Sequence, residues 1–348
     1  MAVAAGETLS WAGNLLCDFV TLNIKNERFC LFSAGIRIRH ISSTKAALMK
    51  TRDLGLAIAV AALWGLNFSF IKLGVARVDP LVLAGLRFAL TALPLVLFLP
   101  RPQIAWRWLV LYGLTFGVGT WGLVSLSLHA GLAPGLAAWL LQSSAFITPL
   151  LGVLWLSEVW LRAQKIGACV ALLGFLQVIF ASSGASSTVG VVLILGAAGS
   201  LSVANLIVKR AAVKPAEVLG FLSWSCLFAP LPLFALAFAT AGSGAFTALP
   251  EQLGDRLAWA SLAFQVYPTT LFGYWVWNSL MARYSAAEVA PVALLVPLFA
   301  LLFAWLIFGV GISVAQAAGM GLILAGLLIN TFLARLQVWL PRLGWRIR

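Results

Sequence analysis

Residues 54–76 read LGLAIAVAALWGLNFSFIKLGVA, twenty-three positions with a single charge, Lys72. As a helix rising 1.5 Å per residue this run is about 35 Å long, enough to cross a hydrocarbon core of roughly 30 Å. Nine more runs of similar character follow, at about 81–100, 107–128, 134–157, 163–181, 189–211, 215–240, 257–281, 286–308 and 314–334. The breaks carry proline, glycine or charge: Asp79-Pro80, Arg101-Pro102, Ala133-Pro134, Ser182-Ser183-Gly184 and Lys214-Pro215. The expected fold is an all-α membrane protein of ten transmembrane helices. Composition agrees: 62% of the 348 residues are hydrophobic and 9% are charged, against about 25% charged in a soluble domain. So few charges cannot cover a water-facing globule, so the lipid bilayer is the expected partner for most of the surface.

The net charge of +13 does not point to nucleic acid. Lys and Arg form no basic stripe interleaved with aromatics, and instead punctuate the apolar runs. Their placement sets the direction of the chain. With a cytoplasmic N-terminus, inside segments hold Lys45, Lys50, Arg52, Arg101, Arg107, Arg162, Lys165, Lys209, Arg210, Lys214, Arg283, Arg335, Arg342, Arg346 and Arg348. Outside segments hold only Arg77 and Arg256. A miscount of one span would scramble this alternation, so both termini are expected on the cytoplasmic side.

Residues 1–48 read differently. Glu7, Asp18, Lys25, Glu27, Arg28, Arg37, Arg39 and Lys45 are scattered through them with no long apolar run, and the order of a signal peptide is absent. A transit peptide is opposed by Glu7, Asp18 and Glu27. Met49, followed at once by Lys-Thr-Arg-Asp and the first span, reads as the natural start, with 1–48 a poorly ordered or untranslated extension.

The remainder divides into halves, 52–182 and 189–334, with a basic tail at 335–348. Val82-Leu83-Ala84-Gly85-Leu86-Arg87-Phe88, with Pro94 beyond, aligns with Val218-Leu219-Gly220-Phe221-Leu222-Ser223-Trp224 and Pro230 at a constant offset. Asn67 matches Asn205, Ala163-Gln164-Lys165-Ile166-Gly167 matches Ala315-Gln316-Ala317-Ala318-Gly319, and Gly174 matches Gly326. Five spans per half is an odd number, so the second half is expected upside down relative to the first. Inverted repeats are a signature of transporters, in which the two arrangements of the halves open one central site to either side.

Several of these residues carry a family resemblance. Trp64-Gly65-Leu66-Asn67-Phe68, Arg87-Phe88 and Ser157-Glu158 resemble the signature of the EamA branch of the drug/metabolite transporter superfamily. Gly273-Tyr274-Trp275-Val276-Trp277, Arg283-Tyr284 and Val289-Ala290-Pro291-Val292-Ala293-Leu294-Leu295-Val296-Pro297 are similar to exporters of the O-acetylserine/cysteine type. The resemblance spans about 52–334. It implies ten helices, a cytoplasmic (inner) membrane location and export of amino-acid-like metabolites. One departure is Val310, which stands where the family often repeats an acidic residue.

Arg87 is the most informative residue. It lies six residues into its span, about 9 Å deep, where a charge is costly and faces a cavity or a partner. No Asp or Glu lies well inside any span. Arg87 therefore either attracts the carboxylate of a zwitterionic or anionic substrate, or ties helices through carbonyls and snorkels. Asn67 and Asn205, near mid-membrane, must hydrogen-bond a neighbouring helix or a substrate. Trp64 is too deep for the interfacial belt. Gln142 with Ser143 and Ser144, and Tyr274, Trp277 and Asn278, are further polar patches, read either as cavity lining or as helix–helix contacts. Lys72 is expected to snorkel outward. Glu158, Glu288 and His129 are the candidate groups for ion coupling.

Other chemistry finds no footing. Gly117-Val-Gly-Thr-Trp-Gly122 fits a dinucleotide fingerprint but follows no strand, so with Gly113 it reads as close helix packing. Asn67-Phe-Ser69 fits a glycan acceptor but lies in the membrane. Cys17, Cys30, Cys169 and Cys226 form no CxxC pair, and His40 and His129 stand alone, so no zinc site is expected. Neither a Walker loop nor a Ser-His-Asp set is present, so no cofactor and no enzymatic activity are expected. The leading reading is a secondary exporter of small amino-acid-like metabolites, with a homodimer compatible with it. Its rivals are a broad drug exporter of the same superfamily, which would want a buried acid, and a membrane scaffold subunit.

Overall fold

The computed structural model describes residues 22–24, 27–29, 49–156, 162–182, 187–284 and 289–329. The chain divides into two units, Met1–Leu48 and Met49–Arg348. In the first, strand β1 (Leu22–Ile24) pairs antiparallel with β2 (Glu27–Phe29), with Asn23 opposite Arg28. The rest of 1–48 and the basic tail lie outside the described residues.

The described part of the second unit is helical. Its helices are α1 (Thr51–Val75), α2 (Pro80–Phe98), α3 (Trp106–His129), α4 (Pro134–Trp155), α5 (Arg162–Ser182), α6 (Thr188–Arg210), α7 (Val218–Ala241), α8 (256–283), α9 (Val296–Phe308) and α10 (Val314–Leu328). Seven of these are long and apolar enough to cross a membrane, namely α1 to α7, although α5 qualifies over Gln164–Ala181. Helices α9 and α10 are shorter and apolar. The chain is a multi-pass membrane protein of repeat type.

Local chemistry sets the boundaries. Asp79 caps α2 by accepting from Leu81 and Val82 N–H at 2.9 and 3.0 Å, with Pro80 in the first turn. Ser187 caps α6, and Ser313 with Gln316 forms a capping box on α10. Gly309, at φ 66, closes α9 in the left-handed region, a conformation in which a Cβ would clash. The expected ninth span began at 286. Residues 285–288 are not described, Ala290–Leu295 form a 3-10 segment, and regular helix starts only at Val296. Pro291 and Pro297 account for this, because each lacks an N–H for the helical ladder.

Two helices depart from α geometry in matching places. Gly113–Gly122 in the middle of α3 and Gln265–Phe272 in the middle of α8 are π-helical. In both a threonine hydroxyl takes up a carbonyl five residues back: Thr120 to Thr115 at 3.0 Å and Thr270 to Gln265 at 2.7 Å. Pro268 within the second segment removes one further N–H.

The packing pairs follow the repeat. α1 packs on α8 and α9, and its counterpart α6 packs on α3 and α4. The counterparts α2 and α7 pack on each other, as do α5 and α10. Both self-pairs run antiparallel. A Cβ on Gly174 would stand 2.6 Å from the Gly319 carbonyl, one on Gly326 would meet Gly167, and Gln177 donates to Ala315 O at 3.2 Å. Gly85 abuts Phe234, while Gly220 abuts Pro100. A two-fold axis that exchanges antiparallel partners runs across the helices, in the plane of a membrane they span, and so turns one half upside down. The glycines Gly174, Gly319 and Gly326 let the α5 and α10 backbones approach closely, as small residues do in membrane helix pairs.

Candidate functional site

The site grows from Arg87, nearly two turns into α2. The helix phase that packs Val82, Leu83 and Ala84 in the core carries Arg87 inward as well, and only 2% of the residue is exposed. It does not snorkel. Its guanidinium carbon lies 4.2 Å from the centroid of the Trp121 ring on α3 and 5.6 Å from that of Phe88. Nη2 donates to Thr270 Oγ1 on the α8 π-segment at 3.3 Å. Nε meets no protein acceptor. The acidic residues described in the helical unit, Asp53, Asp79, Glu217, Glu251 and Asp255, all lie at helix ends or in loops. Among the described residues Arg87 therefore has no carboxylate partner. Tyr274 and Cys226 are ionisable groups within its electrostatic reach. A buried guanidinium faced by aromatic rings and a hydroxyl keeps an N–H donor that an anion could accept from.

An aromatic shell surrounds it. Trp121 lies 6.3 Å from Phe68 and 6.3 Å from Phe116, centroid to centroid, and Phe116 lies 6.2 Å from Phe88 and 6.5 Å from Tyr274. Trp64 on α1 lies 5.4 Å from Tyr274 and 5.0 Å from Trp277, and its Nε1 donates to the Thr269 carbonyl at 3.1 Å. Four helices, α1, α2, α3 and α8, thus converge on the two π-segments. π-Helical geometry within α-helices recurs at functional sites.

Of the residues expected at a site, Arg87, Trp64, Tyr274 and Trp277 are brought together. Asn67 is fully buried, and neither atom of its amide has a partner. Its counterpart Asn205 is exposed and donates to Thr148 Oγ1 at 3.5 Å. Gln142 lies at the break inside α4, between Leu141 and Ser144, apart from Arg87 in the contacts described. Asn278 belongs to α8, but its side chain lies outside the described part, as do Glu158 and Glu288. Trp121, Thr269 and Thr270 are additions. Trp121 sits inside the glycine run 117–122, whose glycines pack as expected: Gly117 abuts Ala229, Gly119 abuts Ser200 and Gly122 abuts Leu233. An intramembrane Trp next to that run was the available signal.

The ends of the helices carry ties. Lys72 does not snorkel; its Nζ donates to the Leu128 carbonyl at 2.5 Å, at the negative end of α3. His129 Nδ1 lies 3.0 Å from the Val75 carbonyl, at the end of α1. Arg77 and Asp255 form an ion pair at 2.7 Å. The Leu257 N–H bond, with Arg77 second, holds the Asp255 carboxyl below its ordinary range. At the opposite end of the same helix pair, Tyr284 donates to Asp53 Oδ2 at 2.7 Å, and this bond pushes the phenol up. No His, Cys, Asp or Glu cluster that could hold a metal occurs among the described residues.

Comparison with known proteins agrees with this architecture. The EamA-like transporter family matches twice, over residues 53–180 and 188–332. The "probable amino-acid metabolite efflux pump" of Salmonella typhimurium is 36% identical over 289 residues, covering 82% of this chain and 96% of its own. The protein of the same name from Escherichia coli is 34% identical over 289 residues, with the same coverage of each chain. One solved crystal structure, 17% identical, superposes with a TM-score of 0.52 over 82% of this chain and 99% of its own, a likeness of fold alone. With paired antiparallel counterpart helices and a family match across both halves, the chain belongs to the EamA-like transporter family.

Proposed function

We propose that this protein is a secondary transporter of the cytoplasmic membrane that exports small amino-acid-like metabolites of the cysteine/O-acetylserine type. Ten spans with both termini in the cytoplasm fit the charge alternation. The observation that carries the substrate reading is Arg87: a buried cation with an unpaired Nε and, among the described residues, no acid beside it. A substrate carboxylate would complete it. The absence of a carboxylate among the described residues around the site disfavours a cationic drug as cargo. Names of the Salmonella and Escherichia relatives support the same class of substrate.

Alternating access follows from the repeat. The outer segment of α4, Pro134–Leu141, is buried at every position, whereas the inner segment from Ala145 onward is largely half-buried or exposed. Asn205, a polar group unsuited to lipid, is open beside that segment, while Asn67 is sealed. These features support a conformer open to the cytoplasm, and exchange of the two halves' arrangements would open the other side.

The test is uptake of labelled cysteine into inside-out membrane vesicles, with competition by the other amino acids and by cationic dyes. Saturable uptake blocked by zwitterions and unaffected by dyes is expected. Dye competition without zwitterion competition overturns the substrate reading.

A further inference from the structure

The site described so far accounts for one end of an amino acid, its carboxylate. The structure also holds a second set of unpaired buried polar atoms, on the other flank of the α8 π-segment. Asn67 is 0% exposed, and both its amide nitrogen and its amide oxygen meet no partner. Thr269 is 2% exposed, and its hydroxyl also meets none. Leaving such groups buried and unmet costs free energy unless something else satisfies them.

Contacts of α1 place Asn67 against this segment. Trp64 reaches α8 at Thr269, through its indole N–H at 3.1 Å. Phe70 reaches α8 at Phe264, with rings stacked at 4.1 Å, and at Ser261, whose hydroxyl donates to the Phe70 carbonyl at 2.6 Å. Asn67 is three residues after Trp64 and three before Phe70. At about 100° per residue each step of three turns the helix by about −60°, so Asn67 lies midway between them in both height and direction. It therefore faces α8 between Phe264 and Thr269. That stretch contains Pro268, which has no N–H to give a carbonyl one turn earlier.

Thr269 and Thr270 are consecutive. Thr270 holds Arg87 through its hydroxyl. Thr269 holds Trp64 through its carbonyl and keeps a free hydroxyl. The π-segment is thus bordered by a cation on one flank and by neutral oxygen acceptors on the other. Ammonium and carboxylate in an α-amino acid hang from the same carbon, so neighbouring subsites of opposite character suit them.

We infer that Asn67 Oδ1 and Thr269 Oγ1 form the ammonium subsite of the transporter, so that an α-amino acid is held across the α8 π-segment with its carboxylate on Arg87, which Thr270 positions, and its amine on Asn67 and Thr269. This rests on the proposed function and adds to it the residues that distinguish an amino acid from a plain carboxylic acid. No acid is needed at the amine, because two or three neutral oxygens satisfy the three donors of an ammonium.

The experiment uses the full-length protein in inside-out vesicles, with labelled cysteine as the transported probe. Competitors are 3-mercaptopropionate, which lacks the amine, and cysteamine, which lacks the carboxylate. Each preference is a ratio measured within one variant, so expression level cancels. Wild type should prefer cysteine to both competitors by roughly tenfold or more, the value of one charge-assisted hydrogen bond set. In Asn67→Ala and in Thr269→Val the preference over 3-mercaptopropionate should fall toward unity, while the preference over cysteamine stays. In Arg87→Met the reverse should hold. If both Asn67→Ala and Thr269→Val weaken all three compounds alike, the ammonium subsite is refuted, while a lost carboxylate preference in Arg87→Met would leave the Arg87 reading standing. A wild type indifferent to cysteine would overturn both.

Discussion

Replacing Arg87 with Met separates a binding role from a structural one. Met keeps the length and apolar stem and removes the charge. In the folded protein the guanidinium gains one neutral-acceptor bond to Thr270 at 3.3 Å and a stacking contact with Trp121 at 4.2 Å. These are worth about 1 and about 2 kcal/mol respectively in a desolvated site. Against them stands the desolvation of a charge without a counter-ion, several kcal/mol even after relaxation. Arg87→Met should therefore leave thermal stability in detergent unchanged or raise it. Binding behaves the other way. A substrate carboxylate loses a charge-assisted pair, about 2 kcal/mol or more, which is about thirtyfold in KM for uptake. The assays are a melting curve of the purified protein and concentration-dependent cysteine uptake into vesicles. A variant that melts several degrees lower and transports with unchanged KM would refute the reasoning and make Arg87 a structural tie between α2, α3 and α8.

Two other outcomes follow from the geometry. The Asp255 carboxyl is held below its ordinary range by the Leu257 N–H and by Arg77, so its contribution to stability is complete above the unfolded value near 3.8 and disappears as pH falls through the folded one. The stability difference between wild type and Asp255→Asn should be flat from pH 5 to 8 and shrink only below about pH 4; a melting series that changes near neutrality would contradict it. A Cβ on Gly174 would stand 2.6 Å from the Gly319 carbonyl and 2.8 Å from the Ile323 nitrogen, while one on Gly321 meets nothing within 4 Å. Gly174→Ala should cost about 1–3 kcal/mol through overpacking, and Gly321→Ala should gain up to about 1 kcal/mol of helix propensity; equal melting temperatures for the two variants would refute the seam.

The spans were legible because crossing lipid demands long apolar runs, and the breaks at Asp79-Pro80, Ala133-Pro134 and Lys214-Pro215 mark helix starts at Pro80, Pro134 and Val218 to within a few residues. The repeat was legible too, since the matched Gly174 and Gly326 are small for the same reason, a close approach to the backbone of the partner helix. What the linear pattern could not reveal is which spans meet. The partnership of Arg87 with Trp121 and Thr270 joins three helices, and nothing local to any one of them announces it. The π-segments were hidden because a one-residue widening leaves no periodic trace; only glycines and a proline accompany them. Lys72 resembled a snorkelling lysine until the end of α3 was found within its reach. Asn67 and Asn205 read alike in sequence but differ in burial, because inverted halves in one conformer occupy different surroundings.

Everything in the functional account depends on one half being inverted relative to the other. Gln103, in the loop between α2 and α3, and Ser243, in the corresponding connection between α7 and α8, are both exposed. In a background with Cys17, Cys30, Cys169 and Cys226 replaced, Gln103→Cys and Ser243→Cys can each be labelled in intact cells and in inside-out vesicles with a membrane-impermeant maleimide. The inverted arrangement predicts labelling from opposite faces, with Gln103→Cys reactive from the cytoplasm and Ser243→Cys from outside. Labelling of both positions from the same face would contradict it.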